Sequence, residues 1–278
     1  MTAAVGKTCW TDVAAGWDRH REEIEHFEAP VTERLLANLP ALAGRAVLEL
    51  GAGTGALAER LTDAVGPVGR VIASDAADGM VARLHIHLDG RTNVSVQHLD
   101  AGDIALPDAL VDAIVFRMGL MMAPDPARAL EQVRRVLRPG GRLVTAVWGP
   151  PMANPWLTLV GMAAASAGLV TGAAGPPTGP GEPFSLADRD RLAALAEAAG
   201  FAQVTVETVD ALRHYADADD QFARVSAMAP PLAAAVATAS PDRLAATRAQ
   251  LRTLVAGFAT PDGLALPMQA HVLAATAP

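Results

Sequence analysis

The sequence predicts an α/β fold with a mainly parallel, seven-stranded sheet and helices on both faces. One observation is the segment AVLELGAGTG at residues 46–55, in which a short apolar strand leads through a glycine-rich turn into helical residues. A second is Asp75, an acid that ends the next apolar run about twenty residues after the turn. The third is the alternation of strand-like and helix-like segments along the chain, which is typical of a parallel sheet crossed by helices.

The first half of the chain supplies five predicted strands. Residues 11–39 are expected to be mostly helical, with a break near Pro30, because proline removes a backbone donor. Asp125 followed by Pro126 predicts an N-cap and the first helical position, and the RPGG run at residues 138–141 ends that helix. The five strands are predicted at residues 47–50, 71–74, 94–99, 111–116 and 142–148, with a helix at 56–65 after the first.

The second half supplies the last two strands. Ser185 and Asp188 resemble a capping box with Asp in place of Glu, and they predict a helix that closes at Gly200. The sixth and seventh strands are predicted at residues 204–209 and 271–275.

Two stretches interrupt this alternation. Residues 149–183 contain an alanine-rich helical run and then a Gly/Pro-rich loop at 171–181. Residues 217–258 are predicted to be helical, with breaks at Pro230 and Pro241. In open α/β sheets the ligand lies beyond the carboxyl ends of the strands, so insertions on that edge can cover it. Together with the N-terminal helices, both stretches are therefore predicted to form a lid.

Composition and charge exclude several classes of partner. The formal net charge of −8 and the absence of a basic stripe argue against nucleic acid, since Arg134, Arg135 and Arg138 are explained by the dipole of their helix. Cys9 is the only cysteine, so one chain can form neither a disulfide nor a thiolate zinc site. The N-terminus lacks an apolar signal region, and the apolar stretch 156–170 is short for a membrane span. A cytoplasmic protein is expected, and a homodimer stays open.

The spacing of the glycines bears on the ligand. Gly51, Gly53 and Gly55 form G-x-G-x-G and are followed by Ala56, which leaves the choice between a dinucleotide and another ligand open. Glu49 lies two residues before the first glycine, at the end of the strand. Its carboxylate would repel a pyrophosphate but could accept from an ammonium group, which favours a cationic amino-acid ligand.

This motif resembles E/D-x-G-x-G-x-G of the class I S-adenosylmethionine-dependent methyltransferases. The resemblance implies a Rossmann-like class I methyltransferase fold with helical lid insertions, S-adenosyl-L-methionine as the cofactor and S-adenosyl-L-homocysteine as the product. It implies an acid after the second strand for the ribose, and residues after the second and third strands for adenine. The expected cofactor site contains Glu49, Gly51, Ala52, Gly53, Gly55, Asp75, Ala76, Met80, Asp100 and Ala101.

Further segments resemble the ubiquinone/menaquinone-biosynthesis type of this family. LRPGGRLV at residues 137–144 is a strong marker, and DAADGM at 75–80 is similar to the D-x-S-x-x-M element, although Ala77 departs from its serine. RMGLMM at 117–122 lacks the polar or histidine pair usual in the quinone methyltransferases themselves. The resemblance therefore supports fold and cofactor more than it supports a quinone substrate.

The resemblance also divides the chain into functional parts. A single methyltransferase domain is expected over residues 1–278. Its predicted parts are lid helices at 1–40, the cofactor-binding half at 41–148, lid or substrate insertions at 149–183 and 217–262, and the rest of the sheet at 184–216 and 263–278.

Methyl transfer from a sulfonium needs alignment more than it needs catalytic side chains. His20 and His214 are the candidate bases, each weighed against an ordinary surface histidine. His85 and His87 lie on different faces of a helix, so no metal is expected. Arg117 follows an apolar strand and needs an anion, which could be the cofactor's carboxylate, an acidic substrate or a structural Asp.

The acceptor is expected to be hydrophobic. Met and Trp residues follow the fourth and fifth strands, and an additional Trp lies on the N-terminal helix, although core packing would explain the same pattern. The candidate substrate-binding residues are Trp17, Met118, Met121, Trp148 and Trp156. The predicted function is methyl transfer to O, N or C of a hydrophobic small molecule. The alternatives are a cofactor-retaining enzyme that catalyses a rearrangement or cyclisation, and a non-catalytic cofactor-binding protein.

Overall fold

The computed structural model describes residues 7–170 and 175–278, with side chains from residue 10 onward. Its centre is an eight-stranded sheet in the order β3-β2-β1-β4-β5-β8-β6, with the two-residue β7 paired to β8. The strands are β1 (Ala46–Leu50), β2 (Arg70–Asp75), β3 (Val94–His98), β4 (Val111–Arg117), β5 (Leu137–Trp148), β6 (Ala202–Tyr215), β7 (Ala259–Thr260) and β8 (Gly263–Thr276).

The main path of the sheet confirms the predicted α/β fold. The ladders from β3 through β5 are parallel, whereas β8 runs antiparallel to both β5 and β6. Strand β1 is buried along its whole length, because a parallel sheet is covered on both faces. The carboxyl ends of β1, β2, β4, β5 and β6 therefore meet at one edge of the sheet.

The helices lie between and beside these strands. Ala56–Val65 is helical as predicted, and Asp125 caps its helix by accepting from the Arg128 backbone N–H at 3.0 Å. The helices of the described residues are α1 (Lys7–Arg19), α2 (Arg21–Ala37), α3 (Ala56–Val65), α4 (Asp78–His87), α5 (Pro126–Val136), α6 (Pro155–Ser166), α7 (Arg189–Ala198), α8 (Ala218–Met228), α9 (Pro230–Thr238) and α10 (Pro241–Val255).

Two local predictions were wrong. The chain breaks at His20, and Pro30 lies inside α2, whose Val31 and Leu35 are fully buried in the core. Tertiary packing of this face outweighs the local cost of proline. Asp188 is itself the N-cap of α7, whereas Ser185 donates its hydroxyl to the Met121 carbonyl at 2.7 Å.

The last two strands of the main path are longer than predicted. Strands β6 and β8 have 14 residues each and pair with each other as far as Tyr215 and Leu264. The extension of β8 alternates, with Leu264, Leu266 and Met268 buried, but Pro267 within it weakens the strand signal in the sequence. Because β6 continues to Tyr215, Arg213 becomes part of the sheet.

Helix α1 packs between α4 and α8. A Cβ on Gly16 would lie 2.1 Å from the Ala227 carbonyl oxygen, so the two backbones approach closely. The Trp17 indole N–H donates to the Met228 carbonyl at 2.9 Å. Of the predicted loop at 171–181, residues 171–174 lie outside the described residues.

Candidate active site

The glycine turn between β1 and α3 leaves one open approach. Gly51, Gly53 and Gly55 have φ angles of +61°, +57° and +91°, a region that favours glycine. A Cβ on Gly51 would lie 3.1 Å from the Phe116 ring, and one on Gly55 would lie 3.0 Å from Leu84, so these two glycines serve packing. A Cβ on Gly53 would meet nothing within 4 Å. Gly53 is therefore where a ligand can approach the backbone.

Asp75 at the end of β2 lies against this turn. Its Oδ2 accepts from the Gly53 backbone N–H at 3.0 Å, and its Oδ1 accepts from the Ala77 N–H at 2.9 Å. Burial raises the pKa of Asp75, and these backbone hydrogen bonds oppose that effect. A carboxylate has about four acceptor positions, so two backbone donors leave room for further donors such as hydroxyls.

Glu49 is the buried acid of the site. Its side chain is 1% exposed, and its Oε2 finds no hydrogen-bond partner among the residues that the structure describes. Burial raises its pKa to about 8. A buried polar atom without a partner requires an explanation, and a ligand with N–H donors supplies one. The donor set and the open side of Gly53 thus fit the amino-acid end of S-adenosylmethionine.

Arg117 at the end of β4 is held by helix α2. Both of its terminal nitrogens donate to the Glu25 carboxylate, one of them at 3.0 Å, and Nη1 also donates to the Thr32 hydroxyl at 2.8 Å. Its Nε lies 3.7 Å from Glu28. Of the three partners considered for Arg117, a structural carboxylate is the one found, although it is Glu rather than Asp. The expected contact with the cofactor's carboxylate stays a prediction.

The residues expected near adenine lie at the ends of β2 and β3. Asp100 accepts at Oδ1 from the Gly102 N–H at 2.9 Å, and Ala101 beside it is partly exposed. The Ala76 carbonyl accepts from His98 at 2.9 Å. Met80 is buried in a small apolar cluster with Ala14 and Ala77, to which Trp10 and Trp17 are added from α1. Helix α1 therefore covers Met80.

Trp148 and Trp156 enclose a residue that sequence reasoning missed. Their rings pack edge to face at 5.2 Å, and the Arg213 guanidinium carbon lies 3.6 Å from the Trp156 ring centre and 5.3 Å from that of Trp148. Arg213 is buried, with Glu28 at 3.4 Å as its ionic contact. Both tryptophans are buried too, so they form a back wall around Arg213 rather than an open surface. Arg213 was not predicted as a site residue because it lies beyond the predicted end of the sixth strand.

The turn after β4 is strained. Met118 has a φ of +54°, a backbone angle that residues other than glycine rarely adopt. Its N–H donates to the Ala146 carbonyl at 2.9 Å. A Cβ on the next residue, Gly119, would lie 2.1 Å from the Phe116 ring. Such strain is concentrated at functional sites. Met118 is partly exposed, whereas Met121 is buried in the core.

The two candidate bases lie on different elements. His214 is exposed at the end of β6 and lines a cleft of about 540 Å³ together with His26, Phe27 and Arg224. His20 lies at the α1–α2 junction, with its Nδ1 3.7 Å from Glu23. The lining of the cleft includes neither His20 nor any of the expected cofactor residues.

The described residues offer neither a membrane-spanning helix nor a cluster of metal ligands. None of the described helices has both the length and the apolar character that a membrane crossing needs. Within the same part of the chain, His, Cys, Asp and Glu side chains form no group of three or more that could hold a metal ion.

Known sequences match a part of the chain that includes the glycine turn. Residues 48–145 match a family model described as a methyltransferase domain. A demethylmenaquinone methyltransferase of Clavibacter sepedonicus is 36% identical over 110 residues, which cover 40% of this chain and 44% of that protein. The chain thus spans less than half the length of the first curated relatives that it matches.

Solved structures share the fold over most of the chain. The YcgJ protein of Bacillus subtilis superposes with a TM-score of 0.58 at 18% identity, covering 90% of this chain and 98% of that one. The cyclase SpnF superposes with a TM-score of 0.52 at 21% identity, covering 89% and 80%. Identities this low show the fold alone. Residues 48–145 therefore match a methyltransferase domain, and 110 residues of the chain are similar to a demethylmenaquinone methyltransferase.

Proposed function

We propose that this protein is an S-adenosylmethionine-dependent methyltransferase acting on O, N or C of a hydrophobic small molecule. The observation that carries the proposal is the unpartnered Oε2 of Glu49, buried beside a glycine turn that is open at Gly53. A pyrophosphate has no donor for this acid and would oppose its ionisation, whereas an ammonium group would donate to it. The methyltransferase match over residues 48–145 supports the same ligand.

Each part of the cofactor has residues of this chain to hold it. When bound, S-adenosylmethionine supplies a methyl group that is already activated. Glu49 accepts from the ammonium group, and Asp75 uses acceptor positions not taken by Gly53 and Ala77 for the ribose hydroxyls. Asp100 and the Ala101 N–H are assigned to adenine by resemblance to the family.

The acceptor is proposed to lie beside the turn after β4. Met118 is partly exposed there, on a strained backbone. Trp17 from α1 is also partly exposed, while Met121, Trp148 and Trp156 contribute from behind as buried support. Methionine and tryptophan surfaces suit an apolar or aromatic molecule. The protein then acts by holding acceptor and cofactor in line and by excluding water.

A base is needed only where the nucleophile carries a tightly held proton, and we propose His214 for that role, with His20 as the second candidate. His214 is supported by its place in an open cleft at the carboxyl edge of the sheet. His214→Ala is expected to lower turnover by about 10²–10⁴-fold with cofactor affinity unchanged, which is the usual cost of losing a general base. His26→Ala, in the same cleft, is the matched control. Equal rates for wild type and for the His214 and His20 variants would mean that alignment alone suffices.

Calorimetry with S-adenosylhomocysteine tests the cofactor site. Asp75→Asn is expected to weaken binding by about 2 kcal/mol, roughly 30-fold, because it removes charge-assisted hydrogen bonds to ribose. The matched control is Asp78→Asn, three positions further on, whose side chain is 90% exposed and whose loss should leave affinity unchanged. Unchanged affinity in a folded Asp75→Asn protein, or tighter binding of NAD, would contradict this assignment.

Product analysis separates the alternatives. Methyl transfer forms one S-adenosylhomocysteine for each acceptor consumed. A cofactor-retaining rearrangement or cyclisation would convert its substrate without forming S-adenosylhomocysteine, and a binding protein would do neither. A panel of apolar and aromatic O-, N- and C-nucleophiles, analysed by mass spectrometry, identifies the acceptor class.

The wider setting of the protein also stays a prediction. We propose one domain whose insertions and N-terminal helices cover the site, working in the cytoplasm without nucleic acid. A net charge of −8 supports the last point, since a polyanion would be repelled. Light scattering of the purified chain distinguishes monomer from homodimer.

A further inference from the structure

Glu49 occupies an enclosed position at the end of β1. It pairs with Ala73 of β2 on one side and with Val115 of β4 on the other. Its side chain therefore projects from a strand in the middle of the sheet. The side chain is 1% exposed, and no described residue donates to its Oε2. An ionised carboxylate in such a position lacks both water and a donor, which is costly.

The charged groups that face Glu49 do not offset the effect of its burial. Arg117 of β4 is the nearby cation, but its terminal nitrogens are already taken by Glu25 and Thr32 of α2. Glu25 of α2 and Asp75 of β2 are the other charges acting on Glu49, and both oppose its ionisation. Burial is the largest effect on the pKa of Glu49, the charge of Arg117 opposes it, and the balance raises this pKa to about 8. At neutral pH the empty site therefore holds a carboxylic acid.

We propose that binding of the cofactor's ammonium group expels this proton from Glu49 to solvent. The O–H bond of the carboxylic acid breaks, its electron pair stays on the carboxylate, and the proton passes to the buffer. The ammonium group remains protonated and donates to the new carboxylate, so charge balances inside the site. This inference rests on the proposed cofactor and adds a proton linkage to it.

The linkage has two measurable consequences. With a pKa of about 8 in the free protein, wild type releases about 1.0 proton per ligand at pH 6 and about 0.9 at pH 7. Because a proton must leave for each ligand that binds, the Kd should fall about tenfold from pH 6 to pH 7. The ligand's amino group stays protonated in this range and adds no proton of its own.

Calorimetry of the full chain tests the proposal. S-adenosylhomocysteine is titrated at pH 6 and pH 7 in two buffers of different ionisation enthalpy, and the difference in heat gives the number of protons released. 5′-Methylthioadenosine, which keeps the adenosine but lacks the amino-acid end, should bind without releasing this proton. The comparison separates Glu49 from Asp75, because both ligands carry the ribose.

Variants assign the proton to its residue. Glu49→Gln should release no proton and should show a Kd that is the same at both pH values. Glu33→Gln, in an exposed ion pair with Arg60, should behave as wild type does. If Glu49→Gln fails to fold, the comparison of the two ligands on wild type still decides. Tight S-adenosylhomocysteine binding without proton release at pH 7 would overturn the proposal but keep the function, whereas no binding would contradict the function itself.

Discussion

At the scale of single residues, the candidate site contains buried ionisable side chains, only some of which could be predicted from the sequence. Glu49 and Asp75 could be predicted, because each ends an apolar strand next to a recognisable turn. Arg213 could not, because only pairing with β8 carries its strand that far. The partner of Arg117 was equally hidden, since Glu25 lies 92 positions away and no local pattern specifies such a contact.

The buried pair of Arg213 and Glu28 should matter for stability. Arg213→Met leaves the Glu28 carboxyl in an apolar site, and losing one partner of a buried pair costs about 3–5 kcal/mol. We expect the lower end, because the contact is long at 3.4 Å and Arg117 remains 3.7 Å away. Urea unfolding measures this loss in the free energy of unfolding. Arg34→Met, whose pair with Glu207 is exposed, is the control and should cost less than about 1 kcal/mol. Similar small losses for both variants would refute a structural role for the buried pair.

At the scale of elements, local signals succeeded where the structure is local. The bounds of α3 and the cap of α5 followed from a glycine turn and from Asp125 before Pro126. Predictions failed where distant packing decides the outcome, as in α2, which continues through Pro30 because its buried face lies on the sheet. The full length of β6 and β8 was not predicted for the same reason.

The close contact of α1 with α8 gives an element-scale prediction. Gly16→Ala would place a Cβ 2.1 Å from the Ala227 carbonyl oxygen, so α1 must move away. We expect the free energy of unfolding to fall by about 1–3 kcal/mol, which is typical of overpacking. Hydrogen exchange should become faster than in wild type in α1, and less so in the sheet. Gly161→Ala in α6 is the control, because its Cβ would meet nothing within 4 Å and alanine favours a helix. Unaltered exchange in α1 of the Gly16 variant would show that the contact is not limiting.

At the scale of the whole molecule, the sequence predicts a mainly parallel sheet but not the order of its strands. Alternating segments predict a parallel sheet, yet they do not say that β8 enters between β5 and β6 in the opposite direction. That insertion depends on hydrogen bonds between segments far apart in the chain. It also places His271 in the interior of the protein.

His271 should make global stability depend on pH. Burial lowers its pKa from 6.5, and its ring nitrogens contact Thr208 and the Ala187 carbonyl at 3.1 Å each. The unfolded chain therefore binds a proton that the folded chain does not, so stability is present above pH 6.5 and is lost as the pH falls. Urea unfolding at pH 5.5 and 7.5 should show a larger drop for wild type than for His271→Gln, by at most about 1.4 kcal/mol per pH unit. His85→Gln, an exposed histidine, should match wild type, and parallel curves for all three proteins would disprove the assignment.

The position of β8 also sets the order in which the protein can be assembled during synthesis. Strand β6 pairs only with β8 in the described sheet, although the ribosome makes β8 well after β6. Until residues 263–276 have left the exit tunnel, β5 presents an unpaired edge and β6 has no sheet to join. Unpaired edges recruit other chains. Nascent chains stalled with residues 263–276 still inside the tunnel should therefore depend on chaperones, whereas chains released from the ribosome should close the sheet on their own.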